Sequence, residues 1–402
     1  MSLVMADMIY VRVAFATKRS KRCVCHNTLL KAHFLFGTPT SMSSTSAEDA
    51  NSERLNTPKS FCIPSPSSAP IESVTSTSVY TGLNRMHRFI INGTVADSLF
   101  GVVKTGFDRV LKIPVIIKIS KLDRAMNQLT HNGVCVLDNV QREALMHEHI
   151  QELLQQSDCP HIARFVTAFQ DAKYHYLITE NSIAGDMFNV VTSYENFCLP
   201  EEEVKVAALD ILSAITWLRQ HEIMHFDLSL ENFVRDKDNS LKLIDFGMAA
   251  FHPLSTRKLK SISAFPDVVT LMAGVPGNTT VHKYVCAPIA SGRRRPGKTQ
   301  YMSPELFHGS TWDAYSNEIW SFGVILYMMS VGRPPFREPS NKEPWYKIIS
   351  SGRWLTPAIS KQEHAGVYHN LNPVLLQLLD RIFKPQAQRL TLEQVIMHPF
   401  FA

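Results

Sequence analysis

The sequence contains no long apolar run, and this absence limits the kinds of protein it can encode. No stretch approaches the length of about 18 consecutive apolar residues that a membrane-spanning helix requires. Hydrophobic residues still make up 45% of the chain and charged residues 19%, values that are typical of a globular protein with a sizeable core. We therefore expect a globular protein without a membrane span.

Cysteine is sparse and unpaired along the chain. The seven cysteines are odd in number and scattered, and no clear secretory signal precedes them. A disulfide framework is therefore not expected, and the pattern indicates a reducing compartment. Cys23 and Cys25 lack the two-residue spacer of a zinc or redox pair, so no metal site is predicted there. We expect a cytoplasmic protein, with the nucleus as the next choice and the mitochondrion as the least expected.

Acidic residues are almost absent from residues 1–37, where Asp7 is set against six basic residues. This segment alone accounts for the formal net charge of +5, so a basic surface for nucleic acid is not supported elsewhere. Its composition fits a mitochondrial presequence or a simple extension of the reading frame, and we favour the extension. Residues 38–84 are rich in Ser, Thr and Pro, which predicts a disordered tail.

The hydrophobic pattern changes after residue 85. Short runs that are typical of strands come first, at 89–91, 99–103, 115–117, 162–169 and 174–179. A helical stretch at 140–154 lies among them, and apolar residues at three- and four-residue steps then dominate, at 204–219, 317–329, 373–383 and 392–397. Strands followed by helices predict an α+β fold with a small β-rich lobe, residues 85–180, and a larger α-helical lobe, residues 181–402.

The strongest local signal is the segment His-Phe-Asp-Leu-Ser-Leu-Glu-Asn at 225–232, followed by Asp-Phe-Gly at 245–247. Phosphoryl transfer requires a carboxylate that accepts or orients the attacking hydroxyl, and oxygen ligands that hold Mg²⁺ against phosphates. Asp227, Asn232 and Asp245 supply that set of groups. Either motif alone occurs by chance, but both in this order, separated by one strand-like run, indicate a phosphotransferase.

These segments resemble the catalytic loop and metal-binding triplet of eukaryotic-type protein kinases, and residues 85–402 are similar to a complete kinase domain of the calmodulin-dependent-kinase-like serine/threonine group. The resemblance implies Asp227 as the catalytic base, and Asn232 and Asp245 as ligands of Mg²⁺ or, as an alternative, Mn²⁺. ATP would be the phosphate donor and protein hydroxyls the acceptors. We expect a monomer.

The resemblance also places the nucleotide. Lys118 follows the apolar run 115–117 at the position of the lysine that contacts the α- and β-phosphates. Glu143 is chosen as its partner over Glu148, because three and seven residues after Glu143 lie Met146 and Ile150, an apolar helix face. Further nucleotide contacts are implied at the glycine-rich loop, the hinge and the ribose: Ala96, Ser98, Gly101, Val103, Thr179, Glu180, Ser182 and Asp186.

Downstream, Ser303-Pro304-Glu305 is similar to the end of a kinase activation segment, which would run from 245 to 305. Glu305 is expected to pair with Arg389, and Glu318 falls where the family generally has an aspartate on the helix that anchors the catalytic loop. The activation segment is longer than the chemistry requires. Whether its insertion is disordered or regulatory stays open.

Three departures from the family pattern bear on activity. Only Gly101 remains of the three glycines in the loop, Phe226 replaces the arginine that pairs with an activation-segment phosphate, and Ser229 replaces a lysine near the transferring phosphoryl group. Two functions therefore stay open: an active serine/threonine kinase, or a pseudokinase scaffold that binds nucleotide and partner proteins. We favour the active enzyme because the four groups that the chemistry needs most are intact. Glu231 and Asp186 further predict substrates with basic residues before the target hydroxyl.

Overall fold

The computed structural model describes residues 86–127, 130, 139–182, 185–251, 285–286, 295–352 and 371–402. The predictions for 1–37 and 38–84, and those for most of the insertion within 245–305, lie outside these residues. No helix in the described ranges is both long and apolar enough to cross a membrane.

The first lobe is built on one antiparallel sheet of five strands in the order β1-β2-β3-β5-β4. Its strands are β1 (Phe89–Asp97), β2 (Gly101–Asp108), β3 (Ile113–Lys121), β4 (Phe165–Gln170) and β5 (Tyr174–Glu180). Alternate residues of β3, Val115 and Ile117, are fully buried, and they pack with Phe89, Phe169 and Ile178 into one core on one face of the sheet. Residues of the opposite parity, Lys118 among them, therefore face the other way.

The main helix of the first lobe is α2 (Val140–Gln156), which follows the short α1 (Leu122–Met126). Its N-cap is Asn139, whose side chain accepts hydrogen bonds of 3.0 Å from the amides of Gln141 and Arg142. Met146 and Ile150 are buried on the helix face that meets the sheet, as the apolar spacing predicted. The start and the rotation of α2 are thereby fixed.

The second lobe is mainly helical and is organised around α4 (Glu201–Gln220) and the almost entirely buried α6 (Ala314–Val331). The other helices are shorter: α3 (Met187–Ser193), α5 (Pro304–His308), α7 (Pro344–Ser350), α8 (Pro373–Ile382) and α9 (Leu392–Ile396). The predicted α+β fold with a small β-rich lobe and a larger helical lobe is confirmed.

Short strand pairs between the lobes hold the segment that carries the motifs. β6 (Ile223–Met224) pairs with β9 (Ala250–Phe251), and β7 (Phe233–Arg235) pairs with β8 (Leu241–Leu243), all antiparallel. Two further short strands, β10 (Val285–Cys286) and β11 (Trp312–Asp313), pair in the second lobe. Residues 225–232 thus connect β6 to β7, and Asp245 follows two residues after β8, so the two motifs share one edge of the second lobe.

Candidate active site

Lys118 lies between two carboxylates that come from different lobes. Its Nζ atom is 2.7 Å from Oε1 of Glu143 on α2 and 3.3 Å from Oδ2 of Asp245. Glu143 is buried, with 4% of its surface exposed, whereas Glu148 is exposed on the same helix. The structure therefore brings together the pair that the kinase resemblance implied, with Glu143, which the helix periodicity favoured over Glu148, as the partner. Arg142 donates from Nη2 to the carbonyl of Ala249 at 2.6 Å and ties α2 to the chain beyond Asp245.

Asp245 is held as a charged carboxylate. It adopts a positive φ of 62°, and its Oδ1 accepts a hydrogen bond of 3.1 Å from the amide of Gly247. Burial by itself would raise the pKa of Asp245, but the Lys118 ammonium and the Gly247 amide outweigh it and hold that pKa well below its ordinary value. A permanent negative charge therefore faces Lys118 across the cleft.

The catalytic-loop segment places Asp227 and Asn232 side by side. A 3₁₀ turn at Leu230–Asn232 brings the Asn232 side chain back, and its Nδ2 donates to the Asp227 carbonyl at 2.7 Å and to Asp227 Oδ2 at 3.0 Å. Glu318 of α6 anchors the start of this segment, because its Oε1 accepts a hydrogen bond of 2.6 Å from the amide of His225. Burial raises the pKa of Glu318 to about 7, although the backbone hydrogen bonds oppose this.

The donor set fits a magnesium ion held largely by phosphates. Both hydrogen bonds from Asn232 use its nitrogen, which leaves its amide oxygen as a ligand beside the charged Asp245. Across the residues that the structure describes, no cluster of three or more His, Cys, Asp or Glu side chains could hold a metal by itself. Mg²⁺ commonly binds through one or two protein oxygens, with water and substrate phosphates completing the shell. Asn232 and Asp245 would serve as those oxygens.

The loop between β1 and β2 is a tight hairpin turn. The amides of Ser98 and Gly101 donate to each other's carbonyls at 3.0 and 3.3 Å. The prediction of a strand over 99–103 is wrong at its start, because Leu99 and Phe100 form the turn and β2 begins at Gly101. Phe100 is 2% exposed and packs against Ala125 and Val140, so its apolar side chain anchors the turn to the helices.

The glycine pattern of this loop follows from its backbone. Neither Ala96 nor Ser98 has a positive φ, so neither position needs a glycine for its conformation. Gly101 is different: a Cβ atom there would lie 2.0 Å from the carbonyl oxygen of Ile119 on β3. Val103 pairs with Lys118 across β2 and β3. The pairing of β2 with β3 thus fixes the β1–β2 turn and Lys118 relative to each other.

The predicted hinge begins at the last residues of β5. Thr179 pairs with Ile116 of β3, and the Glu180 amide donates to the Arg164 carbonyl at 2.9 Å. That amide is therefore used within the fold, and contact with adenine would come from other backbone groups. The Ser182 hydroxyl is buried without a partner in the described part of the chain. Asp186 caps α3, where its carboxylate accepts from the amide and side chain of Asn189 at 2.8 and 2.6 Å, and its role at the ribose stays a prediction.

Comparison with known proteins decides the family. Residues 94–269 and 286–401 match the protein kinase domain. This chain belongs to the protein kinase family. Its relatives include serine/threonine-protein kinase SIK2 of Gallus gallus, 28% identical over 279 residues that span 69% of this chain and 29% of the relative.

Two further relatives are similar to this chain over a comparable length. Serine/threonine-protein kinase PLK4 of Drosophila persimilis is 26% identical over 306 residues, 74% of this chain and 32% of the relative. Serine/threonine-protein kinase SIK1 of Mus musculus is 26% identical over 314 residues, 78% of this chain and 32% of the relative. The chain therefore spans about a third of the length of these curated relatives.

Phe226 has a structural role in this kinase. Where the family pattern has an arginine, the Phe226 ring packs edge-on against Trp312 at 5.6 Å, within an apolar cluster that includes Met302, Leu306 and Tyr315. Its φ is 63°, and only 5% of the residue is exposed. A cation at this position has been exchanged for an apolar contact between the catalytic loop and the end of the activation segment.

Sequence reasoning missed one residue that lies in the site. The sequence analysis did not assign Lys298 to the site, yet its Nζ is 3.1 Å from Asp227 Oδ2 and 2.7 Å from the Ser229 hydroxyl. The signal that could have found it is Ser229, which replaces a lysine of the family pattern. The loss of that cation suggests a search for another lysine or arginine that could reach Asp227. Local periodicity could not identify that residue, because 71 residues separate Asp227 from Lys298.

Proposed function

We propose that this chain is an active serine/threonine protein kinase that transfers the γ-phosphoryl group of ATP to protein hydroxyls. The observation that carries the proposal is the position of the Lys118 ammonium between Glu143 and Asp245, 2.7 and 3.3 Å from their oxygens. A lysine fixed in this way by both lobes is poised to contact ATP phosphates, and phosphoryl transfer depends mainly on such positioning and charge stabilisation.

Asp227 would act on the acceptor. Its carboxylate is oriented by Asn232, and only 16% of its side chain is exposed. It would accept or orient the proton of a substrate hydroxyl that enters from solvent. Mg²⁺ held by Asn232 and Asp245 would neutralise charge on the ATP phosphates. Mn²⁺ is the alternative ion.

Substrate choice is part of the same proposal. Glu231 lies on the catalytic loop with 33% of its side chain exposed, and Asp186 lies at the start of α3. Negative charge near the acceptor favours peptides with basic residues before the target hydroxyl. A positional peptide library would show enrichment of Arg and Lys on that side of the phosphorylated residue, and enrichment of acidic residues there would contradict the proposal.

The function is tested by transfer of labelled phosphate from ATP to generic Ser/Thr substrates and to the protein itself, with Mg²⁺ or Mn²⁺. Wild type should transfer phosphate, and Asp227→Ala should lose about 10²-fold or more in kcat. The exposed Asp238→Ala, in the turn between β7 and β8, is the matched control and should retain activity. If wild type and Asp227→Ala both bind ATP and are equally inert, the pseudokinase scaffold replaces the kinase.

A further inference from the structure

Lys298 donates hydrogen bonds to Asp227 from both its backbone amide and its side chain. The Lys298 amide donates to Asp227 Oδ1 at 3.1 Å, and its Nζ donates to Asp227 Oδ2 at 3.1 Å. The same Nζ donates to Ser229 Oγ at 2.7 Å and lies 4.0 Å from Glu231 Oε2. Three of these four contacts are made by the ammonium group, and they hold it over the catalytic loop although it belongs to the activation segment.

The backbone around Lys298 is built for this approach. Gly297 has a φ of +87°, and a Cβ atom there would lie 2.5 Å from the carbonyl oxygen of Phe226. Only glycine allows the two segments to come so close. Immediately after Lys298, the 3₁₀ turn Thr299–Tyr301 fixes the chain, and the Tyr301 hydroxyl accepts the amide of Leu230 at 3.4 Å. The position of Lys298 is therefore set by both neighbours.

The Lys298 ammonium group is charged, and the side chain that carries it is partly exposed. Burial by itself would lower the pKa of Lys298, but Asp227 and Glu231 outweigh it and raise that pKa above its ordinary value. Its side chain keeps 38% of its surface exposed. The side chain as a whole is therefore partly exposed rather than enclosed by the fold.

We propose that Lys298 is a catalytic residue that supplies, from the activation segment, the cation that Ser229 omits from the catalytic loop, and that its ammonium contacts the γ-phosphoryl group during transfer. The inference rests on the proposed kinase activity. A hydroxyl bound to Asp227 would lie about 3 Å from that carboxylate and about 3 to 3.5 Å from the phosphorus it attacks. A cation 3.1 Å from the same carboxylate is within reach of that phosphoryl group.

The step balances with the groups named. The substrate hydroxyl oxygen forms a bond to the γ-phosphorus of ATP while the bond from that phosphorus to the β,γ-bridging oxygen breaks, and ADP leaves with the bonding pair. The hydroxyl proton passes to Asp227. Negative charge on the transferring oxygens is stabilised by Lys298, as preorganised cations do for developing charge in a site of low dielectric.

The test removes the cation and then returns it to the loop. Lys298→Ser should lower kcat about 10²-fold with the KM for ATP within threefold of wild type, because the contact is made mainly in the transition state. The double variant Ser229→Lys with Lys298→Ser exchanges the two side chains and should recover at least tenfold of the loss. Lys237→Met, an exposed lysine of the β7–β8 turn, should leave kcat unchanged.

A second readout does not depend on turnover. Aluminium fluoride with Mg²⁺ and ADP imitates the transferring phosphoryl group, and it should raise the melting temperature of wild type more than Mg²⁺ and ADP alone. Lys298→Ser should lose this extra stabilisation, and the exchange variant should regain it. If Lys298→Ser does not fold, the exchange variant and Lys298→Arg decide: activity in both supports the proposal, and a folded but inactive exchange variant overturns it.

Other outcomes would overturn the proposal. A Lys298→Ser variant with kcat within threefold of wild type would assign the lysine no role in transfer. A Lys298→Ser variant with a higher kcat than wild type would show that Lys298 inhibits the enzyme by blocking access to Asp227. A loss of kcat with unchanged aluminium fluoride stabilisation would make it a structural residue. An inert wild type would overturn the kinase proposal as well, whereas an active wild type with an unaffected Lys298→Ser would overturn only this inference.

Discussion

Arg389 clamps Glu305 across 84 residues of sequence, with Nη2 at 2.9 and 3.1 Å from the two carboxylate oxygens. The Arg389 side chain is completely buried, and its guanidinium lies 4.8 Å from the centre of the Trp320 ring. It also donates to the carbonyl and hydroxyl of Ser316 on α6 at 3.1 and 2.9 Å. The pairing that the kinase resemblance implied therefore joins the end of the activation segment to α6 and to the segment that follows α8.

The first prediction concerns this clamp. Arg389→Ala should lower the free energy of unfolding by about 3 to 5 kcal/mol, because it leaves the Glu305 carboxylate without its buried partner. Denaturant titration of the full chain measures the change. Arg381→Ala removes an exposed arginine from α8 and should change stability by less than about 0.5 kcal/mol. A loss below about 1 kcal/mol for Arg389→Ala would show that the ion pair adds little beyond packing.

The second prediction separates the two glutamates of α2. Glu143→Gln removes the charge that holds Lys118 and should lower kcat/KM about 10²-fold, as expected when a preorganised electrostatic group is lost. Glu148→Gln is the matched control on the same helix, and its exposed side chain should leave kcat/KM unchanged. Steady-state kinetics with varied ATP measures both. Equal effects of the two variants would remove Glu143 from the site.

Motifs and helix periodicity were sufficient to predict the residues that share one element or one short loop. Asp227 and Asn232 are five residues apart in one short loop, and the catalytic-loop motif was enough to assign both to the site. Glu143 was identified because a helix face repeats at three- and four-residue steps, which the buried Met146 and Ile150 confirm. Local rules of this kind need no knowledge of tertiary contacts.

Tertiary contacts decided the rest. Phe100 has the apolar character of a strand residue, but its hydrophobicity serves packing against Ala125 and Val140, and the chain turns there. Lys298 reaches Asp227 only because the activation segment folds back onto the catalytic loop. Neither contact leaves a periodic signal in the sequence, so neither could be predicted from it.

The third prediction concerns Phe226. Phe226→Arg should lower the free energy of unfolding by more than about 2 kcal/mol, because a guanidinium would replace a ring within the apolar cluster around Trp312. Phe226→Leu is the control and should cost less, because it keeps an apolar side chain. Thermal and denaturant unfolding measure both. An equally stable Phe226→Arg would show that a carboxylate or a water can reach this position.

The fourth prediction follows from the same replacement. With Phe226 in place of the arginine, the kinase lacks at this position the cation that would receive an activation-segment phosphate. Protein treated with a phosphatase, and shown by mass spectrometry to be free of phosphate, should keep kcat within about threefold of the untreated protein. A loss of tenfold or more would show that phosphate on the activation segment is read by another basic group.

The fifth prediction concerns His147, which is buried between the rings of Phe165 and Phe246 at centroid distances of 5.9 and 5.0 Å. Burial lowers the pKa of His147 from 6.5 to about 3, and the nearby Lys118 adds to this. Below pH 6.5 the His147 imidazole therefore binds a proton in the unfolded chain but stays neutral in the folded chain. Stability should fall as the pH falls from 6.5 toward 3, by up to about 1.4 kcal/mol per pH unit.

His147→Leu removes this contribution while it keeps an apolar contact with both rings. Between pH 7.5 and 5.5, the free energy of unfolding of wild type should decrease by about 1 kcal/mol more than that of the variant. Urea titrations at the two pH values measure the difference. Leu145→Ala, at an exposed leucine on the same helix, removes no titratable group and should keep the wild-type dependence. If His147→Leu also keeps it, the ring gains a proton in the folded state, and water or a rearranged acceptor must reach the space between the two lobes.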